Sequence, residues 1–171
     1  HIINKQMFDV ILAMTKDNGI GFEGKLPWSI REELGIFKKK TMNKLLIIGR
    51  KTAESLPQLK NRRIIVLSRN ESKEEVIKDI ECEVSSVFTC LTDALTVYNN
   101  DGKIFIAGGA ELYNQVFSDW RHYINEVHLS VIDGEYECDT FVSFSPSEWT
   151  VKSKLDYDGF THYVLSPDQS E

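Results

Sequence analysis

Ile104-Phe105-Ile106-Ala107-Gly108-Gly109-Ala110-Glu111-Leu112-Tyr113 reads as a short strand, a double glycine and the start of a helix. A continuous apolar run of this length suits a strand covered on both faces, and the glycines let the chain turn at once. Leu46-Ile47-Ile48-Gly49-Arg50-Lys51-Thr52 repeats the arrangement, with two cations and a hydroxyl at the helix start. A helix N-terminus offers free N–H groups to an anion such as a pyrophosphate. Taken singly, a double glycine before a helix is more often only a tight turn, and the second junction reads equally as a solvated basic turn. Together they lie at strand carboxyl ends of one sheet, which is where doubly wound sheets bind nucleotides.

Working outward, apolar runs that suit strands recur at 8–14, 45–48, 64–67, 84–88, 104–107, 127–132, 149–155 and 160–165. Helical patterns fall between them at 30–40, 52–56, 92–98 and 110–117. This alternation predicts a three-layer α/β fold with a mostly parallel sheet of about eight strands, right-handed crossovers and about four flanking helices. Asp156-Tyr157-Asp158-Gly159 is a hairpin signal, so the last two strands should form an antiparallel C-terminal hairpin. Residues 70–83 are charged and weakly patterned and read as a surface excursion. The 171 residues are expected to form one domain, with 1–7 and 166–171 as tails or linker. The start at His1 and the polar end beyond Leu165 lead to the expectation of a domain cut from a longer protein.

Leu26-Pro27-Trp28-Ser29-Ile30-Arg31-Glu32-Glu33-Leu34-Gly35-Ile36-Phe37 carries the chemistry. Ser29 and Glu32 have capping-box spacing, which predicts a helix from Ile30 with Ser29 as N-cap. Ile30, Leu34 and Phe37 then fall at the spacing of a buried stripe, and Glu33 lies inside it. A carboxylate there must be paired, bonded to a ligand or shifted in pKa. The alternative is that Glu33 lies at the edge of the stripe and reaches water, and the helix alone fits both. Trp28 precedes the cap and is expected to pack on Glu33.

The bulk composition, 42% hydrophobic and 27% charged, is ordinary for a globular chain. A net charge of −6 argues against broad nucleic-acid or anionic-membrane binding. Cys82, Cys90 and Cys138 form no CxxC pair and read as reduced thiols of a cytoplasmic protein. His1, His122, His128 and His162 lack metal-ligand spacing; they read as surface or packing residues, and no metal is predicted. No apolar run approaches the roughly 20 residues that span a bilayer. Neither a GxSxG elbow nor a patterned Cys–His pair is present, which argues against covalent catalysis. Arg62-Arg63 and Ser68-Arg69 flank the third strand and could capture carboxylate or phosphate, although each alone fits a surface charge. The polar, three-glycine stretch 16–25 is either a lid or a plain connection. A buried acid beside two phosphate-type sites points to cofactor chemistry.

With these residues in view, the chain resembles dihydrofolate reductases from about Phe8 to Leu165. The resemblance rests on Gly19-Ile20-Gly21, Leu26-Pro27-Trp28, Glu33-Leu34 with Phe37, and Gly49-Arg50-Lys51-Thr52 with Glu54-Ser55. Arg62 before Ile65-Val66-Leu67-Ser68, Gly108-Gly109 with Tyr113, and Asp139-Thr140 complete it. It implies hydride transfer from NADPH to C6 of the pterin of 7,8-dihydrofolate while N5 gains a proton, giving tetrahydrofolate. It also implies dihydrofolate and antifolate-type small molecules as ligands, no nucleic acid or membrane as partner, and a possible fused thymidylate synthase. By the same resemblance Glu33 and Trp28 are catalytic, Glu33 bonding the pterin 2-amino group and N3, and Trp28 holding a water. Ile11, Ala13, Leu34 and Phe37 line the pterin slot, and Leu56 and Leu59 pack on the aminobenzoyl ring. Arg62 takes the glutamate-tail carboxylate, and Ala107, Tyr113 and Ser130 complete the substrate site. The cofactor contacts implied are Ala13, Ile20, Gly21, Gly49, Arg50, Lys51, Thr52, Leu67, Ser68, Arg69, Gly108, Gly109, Ala110, Glu111 and Leu112.

Four positions depart from the family pattern. Ala53 stands where Trp is frequent, Ser130 where Thr is usual with the hydroxyl kept, Ile36 where an aromatic is common, and Glu111 where some members carry a cation. Two rivals share the scaffold, a pyrimidine reductase of riboflavin synthesis and a non-catalytic folate- or nucleotide-binding module. Trp28 with Glu33, and Arg62, argue against the first. The second is opposed by intact chemistry at each carried-over position.

Overall fold

The computed structural model describes residues 6–70, 72–99 and 101–168. In chain order its elements are β1 (Phe8–Thr15), β2 (Gly19–Gly21), α1 (Arg31–Thr41), β3 (Leu45–Gly49), α2 (Arg50–Ser55), β4 (Arg63–Leu67), α3 (Lys73–Ile77) and β5 (Val84–Phe88). There follow α4 (Leu91–Val97), β6 (Ile104–Ile106), α5 (Ala110–Asp119), β7 (Ile124–Ile132), β8 (Thr140–Phe141), β9 (Trp149–Tyr157) and β10 (Phe160–Pro167). Eight strands make the main sheet in the order β5-β4-β3-β6-β1-β7-β10-β9, and β2 pairs with β8 apart from it. All pairs from β5 to β7 are parallel, while β7–β10 and β10–β9 are antiparallel.

The topology decides the layers. From β1 the chain moves outward through α1, α2 and α3 to β3, β4 and β5. It returns through α4 to insert β6 between β3 and β1, then crosses β1 by way of α5 to reach β7. With right-handed crossovers, outward and return moves put their helices on opposite faces. The packing follows. Phe37, Ala53 and Val76 lie with Ile11, Leu46, Ile48, Ile64, Val66 and Phe105, whereas Leu91, Leu95, Leu112 and Val116 lie with Val10, Leu12, Ile47, Ile106 and Leu129. The reversal also gathers the carboxyl ends of β1, β3, β4 and β6 along one edge, the crevice where such sheets bind ligands.

Several local expectations are corrected. Ser29 does not cap α1; Ile30 is the N-cap residue, extended and without a side-chain cap bond. Ile30 instead packs with Trp28, Ile132 and Phe160, so tertiary burial outweighs the capping box. The inward positions of α1 are Glu33, Ile36, Phe37, Lys40 and Thr41, while Leu34 stays 45% exposed, so the Ile30–Leu34–Phe37 stripe is displaced around the helix. Residues 70–83 hold a fifth helix, α3, capped by Ser72 Oγ accepting from Glu75 N and anchored by the fully buried Val76. With one buried apolar residue in five, α3 carries no periodic signal. β10 runs on through Pro167, with Ser166 opposite Thr150 and Pro167 opposite Trp149, so the tail does not begin at 166. Residues 1–5 and 169–171 lie outside the described residues.

Beneath α1 the sheet is partly polar. Lys40 Nζ donates to His128 Nδ1 at 2.8 Å, which leaves His128 Nε2–H to donate to Asp9 Oδ2 at 3.0 Å. Lys103 reaches the same oxygen at 3.3 Å, and Lys152 bonds Glu126 at 2.6 Å beside His128. Burial pushes the Asp9 carboxyl up, but the His128 hydrogen bond and the Lys103 charge outweigh it and hold the group below its ordinary value. A depressed carboxyl contributes stability that is full above the unfolded value, 3.8, and is lost as pH falls through the folded one. Asp9→Asn should therefore cost about 3–5 kcal/mol of unfolding free energy at neutral pH, since it breaks a buried ion pair. Urea unfolding at stepped pH should show that deficit closing below 3.8; an undiminished deficit in acid would place the pairing elsewhere.

Candidate active site

Glu33 sits in the first turn of α1 and faces the sheet near Ser130 of β7, whose hydroxyl favours its charged form. Burial raises its carboxyl to about 6 against the opposing pull of that hydroxyl. Glu33 is half-buried, so its carboxyl is partly desolvated while part of it still reaches solvent. Trp28 does not stack on a neighbour of its own helix. It is buried against Ile132 and Phe160 and meets the Tyr136 ring edge-on at 6.0 Å. Its Nε1–H is buried with no partner among the described residues.

The expected slot residues come together. Ile11, Phe37, Leu56, Leu59 and Ala107 share one apolar cluster on the α1 face. Ala13 lies with Trp28, next to Ser130 across the β1–β7 pair. Tyr113 comes from the other layer, and its hydroxyl donates to the Ile11 carbonyl at 2.6 Å. Burial, and then the Glu33 charge, push that phenol well above its usual range, so the two side chains sense each other across the edge. Leu34 is on the open side of the helix. Arg62 is anchored before use: its Nε donates to Thr41 Oγ1 at 2.9 Å, Nη1 to the Lys60 carbonyl at 2.5 Å and Nη2 to the Lys38 carbonyl.

The glycine turns pack against each other. Gly49 N donates to the Gly108 carbonyl at 2.8 Å. A Cβ on Gly109 would stand 2.7 Å from Thr52 Oγ1, closer than side chains approach, so a larger residue there would push the Thr52 side chain aside. Gly108 and Gly109 are joined by a cis peptide bond and lead into the ten-residue α5. Its first N–H groups are of the kind that receive an anion; Thr52 Oγ1 lies beside Gly109, while Arg50 Nε is paired with Glu54 at 3.1 Å. Leu67 ends β4, and Ser68 and Arg69 follow it on the same edge. Arg69 pairs with Glu111 at 3.2 Å, and both side chains are about nine-tenths exposed, at 92% and 89%. Leu112 departs from the group: its side chain is buried in the core of the α4–α5 face, leaving only its backbone at the start of α5. Ala53 is fully buried among Ile48, Ile64 and Val66.

The 16–25 stretch is latched rather than loose. Asn18 Nδ2 donates to the carbonyls of Val142 and Phe144, both at 2.8 Å, and Glu23 N donates to Asp139 at 3.0 Å. Gly19 is tightly constrained, since a Cβ there would lie 2.3 Å from Cys138 Sγ. Ile20 packs on the α5-side core, and Gly21 pairs with Thr140. Neither Asn18 nor Asp139 stands out in the sequence as a site residue, because their partners lie over a hundred residues away. Of the two alternatives read for the histidines, His128 and His162 take the packing one, both being buried, and each also joins a polar network.

A family profile described as dihydrofolate reductase matches residues 7–163. The chain is 32% identical to a dihydrofolate reductase of Mycoplasma genitalium over 155 residues, covering 90% of this chain and 94% of the relative. It is 32% identical to one of Candida albicans over 180 residues, covering 95% and 89%. A bifunctional dihydrofolate reductase-thymidylate synthase of Paramecium tetraurelia is 36% identical over 140 residues, which is 80% of this chain but only 28% of that protein.

Ionised Glu33 is a cost to the fold. Its raised carboxyl means the folded state holds a proton more tightly, so its contribution is best below the unfolded value of 4.5 and worsens by about 2 kcal/mol as pH rises past 6. Glu33→Gln should therefore raise unfolding free energy by about that amount near pH 8, with the gain vanishing below 4.5. Chemical denaturation at the two pH values reads it, and a variant less stable at both would contradict the burial argument.

Proposed function

The chain belongs to the dihydrofolate reductase family, and on that footing we propose how its residues reduce 7,8-dihydrofolate to 5,6,7,8-tetrahydrofolate in one-carbon metabolism. Glu33 carries the reading: one desolvated acid, poised near 6, at the carboxyl edge of the sheet. Ser130 takes part of its acceptor capacity, and the remainder suits paired N–H donors such as those of a pterin. An antifolate-type molecule with the same donor pair would be held in the same way. Ile11, Phe37, Leu56 and Leu59 exclude water from the rest of the ring system, and Arg62, already oriented by three acceptors, receives the glutamate carboxylate. The Trp28 Nε1–H can fix a water beside the acid, so that a proton reaches N5 through solvent as the hydride arrives.

The glycine cradle fits the pyrophosphate of NADPH, which when bound supplies the hydride. Gly49, Gly108, Gly109 and the start of α5 admit the phosphates, Arg50, Lys51 and Thr52 face them, and Ser68 with Arg69 suits the extra phosphate on the adenosine. Ala13, Ile20, Gly21, Ala107 and Tyr113 bound the space between the two ligands. We take 1–171 as one reductase domain in a cytoplasmic protein, a reading supported by three free cysteines; no helix among the described residues is long and apolar enough to cross a membrane. The likeness to a bifunctional dihydrofolate reductase-thymidylate synthase of Paramecium supports a thymidylate synthase as partner.

Glu33→Gln preserves shape and removes the charge, and should lower turnover roughly 100- to 10,000-fold at neutral pH, with a smaller loss in acid. NADPH oxidation with dihydrofolate as the only acceptor tests the reading; no oxidation in the unmodified protein, or full activity in Glu33→Gln, would overturn it. For the cofactor, an exposed Arg69–Glu111 pair is weak, so Arg69 is free to exchange partners. Arg69→Ala should narrow the preference for NADPH over NADH by about two- to tenfold in kcat/KM, and Glu111→Gln should widen it. Unchanged ratios in both variants would place the phosphate elsewhere.

A further inference from the structure

Ser130 faces more than Glu33. The antiparallel β7–β10 register sets Ser130 directly opposite His162. Ser130 Oγ lies 2.8 Å from His162 Nδ1, with the two residues only 1% and 4% exposed. A serine hydroxyl has one proton to give and two lone pairs. A carboxylate on Glu33 only accepts, so its influence turns the Ser130 proton toward it, and Ser130 Oγ then accepts from His162 Nδ1–H across the observed 2.8 Å contact. That choice leaves a bare lone pair on His162 Nε2, which is buried without a partner among the described residues. Reversing the chain would place an orphaned N–H there, the rarer and costlier arrangement.

We propose that His162 is a positioning residue that, through Ser130, holds Glu33 as an oriented carboxylate. This rests on the reading of Glu33 as the acid of the reductase site. His162 acts as a neutral ring: burial first, then Lys40 from α1 and His128 from β7, lower its pKa to about 4. Across the neighbouring strands, β9 sets Leu155 opposite it and β1 sets Ala13 beside Ser130. Glu33 is faced by Ser130 and, from α5, by Tyr113. The chain Glu33–Ser130–His162 thus has one direction of donation that satisfies the carboxylate, and His162 selects it.

The test is an NMR titration of the ligand-free full chain, with carboxyl-labelled glutamate assigned through Glu33→Gln and nitrogen-labelled histidine. In the unmodified protein His162 should be the Nδ1–H tautomer above the Glu33 midpoint. His162→Phe removes the donor and should raise that midpoint by about 0.5–1 pH unit, the worth of one hydrogen bond. His162→Asn puts an amide donor in place of Nδ1 and should restore it. In a Ser130→Ala background, His162→Phe should have no further effect. An Nε2–H tautomer, an unmoved midpoint in His162→Phe, or an equal shift without Ser130 overturns the proposal. Should His162→Phe fail to fold, the tautomer and His162→Asn still decide. Absence of dihydrofolate-dependent NADPH oxidation would instead strike the functional reading and leave these titrations standing.

Discussion

A helix that turns both a carboxylate and an ammonium toward a sheet can dock only where the strands offer them partners. α1 does this with Glu33 and Lys40, seven residues apart on its inward side, and β7 answers with Ser130 and His128, two residues apart on one strand face. The Lys40–His128–Asp9 chain satisfies the lower anchor and is closed by Lys103. The upper anchor is satisfied in part, since Ser130 serves one site on Glu33 and the remaining acceptor capacity faces the crevice. An incompletely satisfied buried acid is unfavourable for the fold and useful for a ligand with matching donors, a trade found where function draws on stability.

The rest of the site follows from where the chain reverses direction in the sheet. Inserting β6 between β3 and β1 brings Gly108 and Gly109 against Gly49, at the start of α2 and α5. An anion cradle and a buried acid then stand on one edge although their residues are about 75 positions apart in sequence. The 16–25 segment follows β1 directly and is pinned by Asn18 and Asp139. The acid, the apolar cluster and the glycine turns are thereby gathered toward the carboxyl ends of the central strands.

Much of this is legible in the residues because strong local signals and global topology agree. The parallel core strands are apolar at nearly every position, the strand-to-helix junctions carry glycines, and Asp158-Gly159 closes the final hairpin. What is not legible depends on tertiary partners. The Ser29–Glu32 pattern predicts a cap that Ile30 preempts by packing on Phe160. α3 is held by Val76 alone, too little for a periodic pattern. Leu34 scores as stripe and is exposed, because the face is set by Glu33 and Lys40, which a hydrophobicity reading excludes. His128 and His162 become informative only when strand register places them beneath α1.

The central claim is that Glu33, desolvated beneath α1, governs the proton that accompanies hydride transfer. The most direct measurement is the pH dependence of single-turnover reduction of dihydrofolate, using NADPH deuterated at the transferred position. The account predicts an isotope-sensitive rate that falls as pH rises through the Glu33 range, near 6. An isotope-sensitive rate that stays level between about pH 5 and 9 would contradict it, since no group titrating in that range would then control the chemical step.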